Sequence, residues 1–176
     1  MIWCPGAVAA PNQATPNVTV VYRFLGPHSE KSLQEMKTEV AALTKNEGLR
    51  IDWQDRDRIP DNATFENLVV VEFRGKCIMQ PIPYLYDERG PYAFTRSSGG
   101  DILPFSEVEC DKIRLSLGKA MWGSDYARSD QLFGRALARV VAHELHHILE
   151  HTAGHTHSGV NKRALSGAEL ISNDLP

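Results

Sequence analysis

The chain lacks the features by which several classes of protein are recognised. No apolar run approaches the roughly 20 residues that a membrane-spanning helix needs, so no membrane span is expected. There is no basic stripe and no helix rich in lysine and arginine, and the net charge is only −3, which argues against nucleic acid as a partner. Internal repeats are also missing. The 176 residues predict one domain, with or without a small second lobe, and we expect a monomer.

Cysteine is scarce, and the three cysteines, Cys4, Cys77 and Cys110, do not follow the spacing of a zinc finger. Cys77 comes four residues after a predicted central strand, and Cys110 shares a predicted strand face with Val108. We expect these two thiols to form a disulfide if the protein is exported. Two free buried thiols are the alternative.

The N-terminal segment is apolar over residues 1–10 and ends in small residues, like the end of a secretory signal that is cleaved near Ala10. A charged segment ahead of it is missing, and Pro5-Gly6 interrupts it. We expect residues 1–17 to be a flexible tail or the remnant of a signal segment, and residues 18–176 to be a single domain. The protein is then exported, periplasmic or extracellular; a cytoplasmic protein is the alternative.

Residues 143–147 read His-Glu-Leu-His-His, which is the pattern H-E-x-x-H. Histidines four residues apart project from one side of a helix, where both can bind one metal ion. A glutamate beside the first histidine is placed to take a proton from a water on that metal. The motif predicts a Zn²⁺-dependent hydrolase in which His143 and His147 bind the metal and Glu144 is the base. A buried helix that carries these polar groups by chance would leave them without partners, which is unfavourable.

The surrounding sequence favours a helix over residues 131–150, where Gly134 is the only glycine or proline. Apolar residues recur there at helical spacing on one broad face, namely Ala136, Leu137, Val140, Val141, Leu145, Ile148 and Leu149. We expect Ser129 or Asp130 to cap the start of this helix and Gly154 to end it in a left-handed turn.

Upstream of this helix, the sequence patterns predict a sheet. Strands are expected at residues 18–25, 49–53, 68–73, 92–95, 101–104 and 108–117. The apolar run at 68–73 is typical of a central strand covered on both faces, and 92–104 reads as a hairpin. A first helix is expected to begin at Ser29 or Ser32 and to end at Gly48. The order predicts an α/β (α+β) fold, a mixed twisted sheet with two long helices and the metal-binding helix near the C-terminus.

Catalytic zinc takes three protein ligands and keeps one position for water. The candidates after the motif are His151, His155, His157 and Glu169. His151 would continue the same helix, about 12 Å along the axis from His143, so that their rings would converge poorly. It is expected to be a neighbour of the site or a surface residue.

Glycine and capping patterns separate the remaining candidates only in part. A turn at Gly154 can fold the chain back beneath the helix and direct His155 at the metal, and His157 could arrive in the same way. Glu169 fits better as the partner of Ser166 in a capping box.

The motif and its continuation resemble a group of uncharacterised bacterial metzincin-like zinc metallopeptidases. Their pattern is H-E-x-x-H, seven residues, H, three residues and G-[IV], and here seven residues separate His147 from His155, which three residues separate from Gly159-Val160. Residues 102–111 and 117–120 are similar to that group as well. The resemblance implies a metzincin-type sheet, a glutamate base and His155 as the third ligand.

The sequence also departs from metzincins proper, whose pattern is H-E-x-x-H-x-x-G-x-x-H. Glu150 and Ala153 stand at the positions of the glycine and the third histidine, so the spacing here is two residues longer. Asn161 stands where the resembling group often has methionine, and no methionine follows Met121, so a methionine turn beneath the metal is not expected.

Together these patterns predict a zinc metalloendopeptidase that acts on a peptide or protein substrate, with Zn²⁺ as its cofactor. The hairpin at 92–104 could offer an open edge to an extended peptide. Tyr126 is a candidate for steadying an oxyanion, with a packed core tyrosine as the alternative. The alternative for the whole protein is a binding module that zinc stabilises and that no longer catalyses.

Overall fold

The computed structural model describes residues 17–80 and 90–174. The predicted N-terminal tail lies outside the described residues, except that Asn17 already belongs to the first strand. In chain order the elements are β1 (Asn17–Phe24), α1 (Glu30–Thr44), β2 (Arg50–Asp55), β3 (Leu68–Arg74), β4 (Ala93–Ser98), β5 (Asp101–Glu109), α2 (Cys110–Ala120), α3 (Ser129–Leu149) and α4 (Gly167–Ile171). Among the described residues, no helix has the length and apolar character that crossing a membrane requires.

The strands form one mixed sheet in the order β2-β1-β3-β5-β4. The first four strands of that order run parallel, and β1 and β2 are joined by α1, as parallel neighbours require a crossover connection. Strand β4 pairs antiparallel with β5 and lies at the edge of the sheet. The predicted mixed sheet and the predicted hairpin are confirmed.

The helices cover one face of the sheet. Along β3, Val69, Val71 and Phe73 are buried, while Val70 between them is only partly buried. The position of this strand at the centre of the sheet is confirmed by its pairing with β1 and β5. The expectation that it is covered on both faces is wrong, because its burial alternates from residue to residue.

Helix α1 sets the position of α3, against which it packs. Ser29 caps the start of α1 by accepting a hydrogen bond from the backbone N–H of Ser32 at 3.3 Å. The Ser32 hydroxyl donates to the backbone carbonyl of Asp130 at 3.0 Å. A Cβ on Gly134 would lie 2.5 Å from the Ser32 carbonyl oxygen, so the glycine in α3 permits the close approach of the two helices.

The predicted strand at 108–117 is wrong beyond Glu109, because α2 begins at Cys110. The buried apolar positions of α2, Cys110, Ile113 and Leu117, are spaced by three and four residues, which is the period of a helix. The alternation typical of a strand breaks between Cys110 and Ile113 because the chain changes there from strand to helix.

A disulfide joins Cys77, which follows β3, to Cys110 at the start of α2, as predicted. Both cysteines are buried, and 33 positions separate them in the sequence. The closed loop contains the β4–β5 hairpin. The bond therefore fixes both ends of the segment that carries the edge strand to the same side of the core.

Candidate metal centre

Three histidines converge at the C-terminal end of α3. The Nε2 atoms of His143 and His147 lie 3.0 Å apart, as expected for residues one helical turn apart. His155 comes from the segment that follows the helix, and its ring centre is 5.2 Å from that of His143 and 4.9 Å from that of His147. One ring nitrogen from each histidine lies within 4.8 Å of the other two. The structure thus brings together the two histidines of the H-E-x-x-H motif and the third histidine that the family resemblance implies.

The chain reverses its direction at His151, and this turn brings His155 back toward the helix. The predicted reversal at Gly154 is wrong. His151 has a left-handed backbone with φ of 48°, and Gly154 does not have a positive φ. The N–H of Thr152 then donates to the carbonyl of His147 at 3.1 Å, which satisfies one of the last carbonyls of the helix. His151 lies in the turn itself, and neither it nor His157 joins the group of three in the described part of the chain.

Backbone carbonyls fix the orientation of two of the imidazoles. Nδ1 of His143 lies 2.8 Å from the carbonyl of Val160, and Nδ1 of His147 lies 2.7 Å from the carbonyl of Thr152. A carbonyl only accepts, so each Nδ1 carries the proton and each Nε2 presents a lone pair. Such bonds on the outer nitrogen are typical of metal-binding histidines. Sequence reasoning did not find these partners, although Gly159 of the motif, with φ of 79°, marks the turn before Val160.

The donor set fits a metal cation. Two lone pairs that face each other at 3.0 Å repel unless a proton or a cation lies between them. Burial lowers the pKa of His143, and the imidazoles of His147 and His155 lower it further, while the hydrogen bond that His143 donates to the Val160 carbonyl raises it. The proton is therefore disfavoured. Zn–N bonds of about 2.0–2.1 Å place tetrahedral ligand nitrogens about 3.3 Å apart, so the His143–His147 spacing needs little change.

Glu144 points toward the sheet and is buried. Its Oε2 accepts a hydrogen bond from the hydroxyl of Thr95 at 2.6 Å, and the hydroxyl of Ser106 lies 3.4 Å from the same oxygen. Burial raises the pKa of Glu144, while these hydrogen bonds and His147 lower it. Thr95 on β4 and Ser106 on β5 are residues that sequence reasoning missed, because contacts across 49 and 38 positions leave no local pattern.

A cleft of about 270 Å³ opens beside the site. His143 and Glu144 line it from α3, one wall is formed by residues 90–93 at the start of the edge strand, and residues 162–165 form the other. His143 and Glu144 therefore face the same space, which is large enough to hold an amino-acid side chain.

Two other predicted candidates lie elsewhere. Tyr126 is 57% exposed in a short 3-10 helix ahead of α3, which begins at Ser129. The helical rise from Ser129 to His143 is about 21 Å, so Tyr126 cannot steady an oxyanion at the site, nor is it a core residue. Glu169 caps α4 with Ser166 as predicted.

No model of a known protein family matches the chain, and a search of curated proteins finds no match either. The similarity to metzincin-like metallopeptidases therefore stays a prediction from the motif. The coarse fold is a mixed five-stranded sheet with helices packed on it.

Proposed function

We propose that the protein is a zinc-dependent metallopeptidase with a zincin-like, metzincin-related catalytic domain. The observation that carries the proposal is the pair of Nε2 atoms, 3.0 Å apart, whose Nδ1 partners are both held by carbonyls. A carboxylate on the adjacent residue, Glu144, lines the same cleft as His143. Metal ligands and a base side by side in one cleft are what hydrolysis of a peptide bond requires.

His143, His147 and His155 are the residues that would hold Zn²⁺. When bound, zinc acidifies a water molecule and polarises the scissile carbonyl. His155 is exposed, and its ring nitrogen is within 4.8 Å of the other two, so it would move by at most roughly 1.5 Å to reach tetrahedral spacing. The loop after α3 permits this adjustment, because His155 itself makes no hydrogen bond with the described residues.

Glu144 would act as the general base. It accepts a proton from the attacking water and donates that proton to the nitrogen of the departing amine, so that it is ionised again at the end of the cycle. Burial raises the pKa of its carboxyl, which makes the carboxylate a stronger base than an exposed glutamate. Because Glu144 both takes the proton and releases it, no other residue has to gain or lose a proton in the reaction.

The substrate would bind as an extended strand along β4. This strand is at the edge of the sheet, and among residues 17–80 and 90–174 only β5 pairs with it. Its free edge can form backbone hydrogen bonds with any peptide, so that affinity would come from the main chain and selectivity from the neighbouring cleft. An antiparallel edge strand beside the metal-binding helix supports the zincin-like interpretation.

Export of the protein is part of the proposal. Disulfides persist in oxidising compartments, and the Cys77–Cys110 bond supports a periplasmic or extracellular location. Reduction in the cytoplasm would remove a bond that closes the segment carrying the edge strand.

The test is cleavage of a mixed peptide library by wild type, with and without chelator, and by Glu144→Gln. Glutamine keeps the size of the side chain and removes the base, so hydrolysis should fall by about 10²–10⁴-fold while zinc stays bound. Glu150→Gln, the same change at an exposed glutamate at the end of α3, is the matched control and should cleave at the wild-type rate. If the Glu144→Gln variant cleaves peptides at the wild-type rate, the proposed mechanism is wrong. An inactive wild type that binds zinc would favour a binding module instead.

A further inference from the structure

The two carboxylate oxygens of Glu144 have different surroundings. Oε2 accepts a hydrogen bond from Thr95 Oγ1 at 2.6 Å and lies 3.4 Å from Ser106 Oγ. Oε1 accepts no hydrogen bond from any group in residues 17–80 and 90–174. One oxygen is therefore anchored on the sheet, and the other has no partner among the described residues, on a side chain that lines the cleft.

We propose that Thr95 and Ser106 are positioning residues for the base. They hold Glu144 through Oε2, so that Oε1 is the atom that accepts the proton of the attacking water. The inference rests on the proposed function and adds to it which oxygen reacts and which side chains direct it. Neither hydroxyl contacts the reacting atoms; both act through Glu144.

Thr95 makes the stronger of the two contacts. Its hydroxyl has one proton, and the bond of 2.6 Å to Glu144 is the one that it donates within the described part of the chain. Ser106 also has one hydroxyl proton, but its Oγ lies 3.2 Å from the carbonyl of Phe94 and 3.4 Å from Glu144, so two acceptors share it. A hydrogen bond to an ionised group at short distance is stronger than a shared, longer one. Loss of the Thr95 hydroxyl should therefore have the larger effect.

The location of Thr95 links the base to the substrate. Thr95 and Ser106 are directly opposite each other in the β4–β5 pair, on the face toward α3. Strand β4 is also the strand along which a peptide would bind. One strand, β4, would then fix both the position of the bound peptide and the orientation of the Glu144 carboxylate. The β-branched side chain of Thr95 has few accessible rotamers, so its hydroxyl has little freedom to turn away from Glu144.

A purely structural role would have a different signature. If Thr95 served only to satisfy a buried carboxylate, its loss would lower stability without changing the turnover of the folded, zinc-loaded enzyme. A positioning role changes kcat in particular, because the misdirected base matters in the transition state and not in substrate binding.

The experiment compares kcat, KM and bound zinc for Thr95→Val, Thr95→Ser, Ser106→Ala and the control Thr64→Val, the same change at an exposed threonine in the loop before β3. We expect Thr95→Val to lose about 10–100-fold in kcat with KM and zinc content unchanged. Thr95→Ser keeps the hydroxyl and should recover to within about threefold of wild type. The loss in Ser106→Ala should be smaller, and Thr64→Val should match wild type.

A second measurement does not depend on hydrolysis. In urea unfolding, Thr95→Val should lower the midpoint in the wild-type background and leave it unchanged in a Glu144→Ala background, because the partner is then gone. An active wild type with unchanged kcat in Thr95→Val overturns the inference, as does a Thr95→Ser variant that is as slow as Thr95→Val. A wild-type protein that cleaves no peptide contradicts the proposed function itself, and the positioning role of Thr95 is then wrong as well.

Discussion

Gly134 is a position at which a single methyl group should disturb α3, the helix that carries His143 and His147. In Gly134→Ala the new Cβ would lie 2.5 Å from the carbonyl oxygen of Ser32 and 2.6 Å from Cβ of Glu35. Ser32 presents a backbone atom of α1, so rotation of a side chain cannot relieve the contact. Either the two helices separate or α3 shifts along its axis, and the histidines at its far end shift with it.

Two effects of opposite sign decide the outcome. Alanine favours a helix over glycine by about 0.8–1.0 kcal/mol. Overpacking a close contact costs about 1–3 kcal/mol, and a clash with backbone belongs at the upper end of that range. The net destabilisation should be about 1–2 kcal/mol, which corresponds to a fall in Tm of roughly 2–8 °C for a domain of this size.

Gly118→Ala provides the matched control. Gly118 lies inside α2, and a Cβ there would meet nothing within 4 Å. Only the helix preference remains, so this variant should gain up to about 1 kcal/mol. Calorimetry and urea unfolding of both variants beside wild type measure the difference. A Gly134 variant as stable as wild type, with the Gly118 variant stabilised as expected, would refute the packing argument.

Two further predictions concern the turn after α3 and the cap of α4. His151→Gly should raise the urea midpoint by an amount equivalent to at most about 1 kcal/mol, because glycine adopts the left-handed backbone of φ 48° without strain. The zinc content of this variant should equal that of wild type, and a loss of zinc would make His151 part of the site. The hydrogen bond from Lys162 and those from Ser166 lower the pKa of Glu169 from 4.5 to about 2. A lowered pKa stabilises the fold above pH 4.5, and this stabilisation is lost as the pH falls toward 2. The midpoint of wild type should therefore exceed that of Glu169→Gln near neutral pH and approach it in acid, and a gap that is constant with pH would contradict this.

Helix α3 is predictable from the sequence because each of its signals is local. The H-E-x-x-H spacing, the apolar periodicity and the scarcity of glycine all lie within α3 itself, and the structure places this helix at Ser129–Leu149. The sheet is predictable to a similar degree, since alternating strands and a glycine turn mark the β4–β5 hairpin. The change from strand to helix at Cys110 is missed because periods of 2 and 3.6 residues overlap there for only a few positions.

The site beyond the motif depends on contacts that no short pattern records. Thr95 reaches Glu144 across 49 positions, and Val160 reaches His143 across 17. The Thr95 contact depends on the order of the strands in the sheet, and the Val160 contact depends on the path of the segment that follows α3. The turn at His151 escapes prediction for another reason, since a glycine three residues later is the better candidate by backbone preference alone.

The amount of zinc bound per chain measures whether His143, His147 and His155 form the proposed zinc site. Wild type, His155→Ala and His157→Ala would be loaded with zinc, dialysed and measured by atomic emission, with affinity from competition against a chelator. We expect one zinc per chain in wild type and in His157→Ala, and an affinity at least about 100-fold weaker in His155→Ala. A wild type that retains no zinc, or a His155 variant that keeps it while the His157 variant loses it, would contradict the assignment.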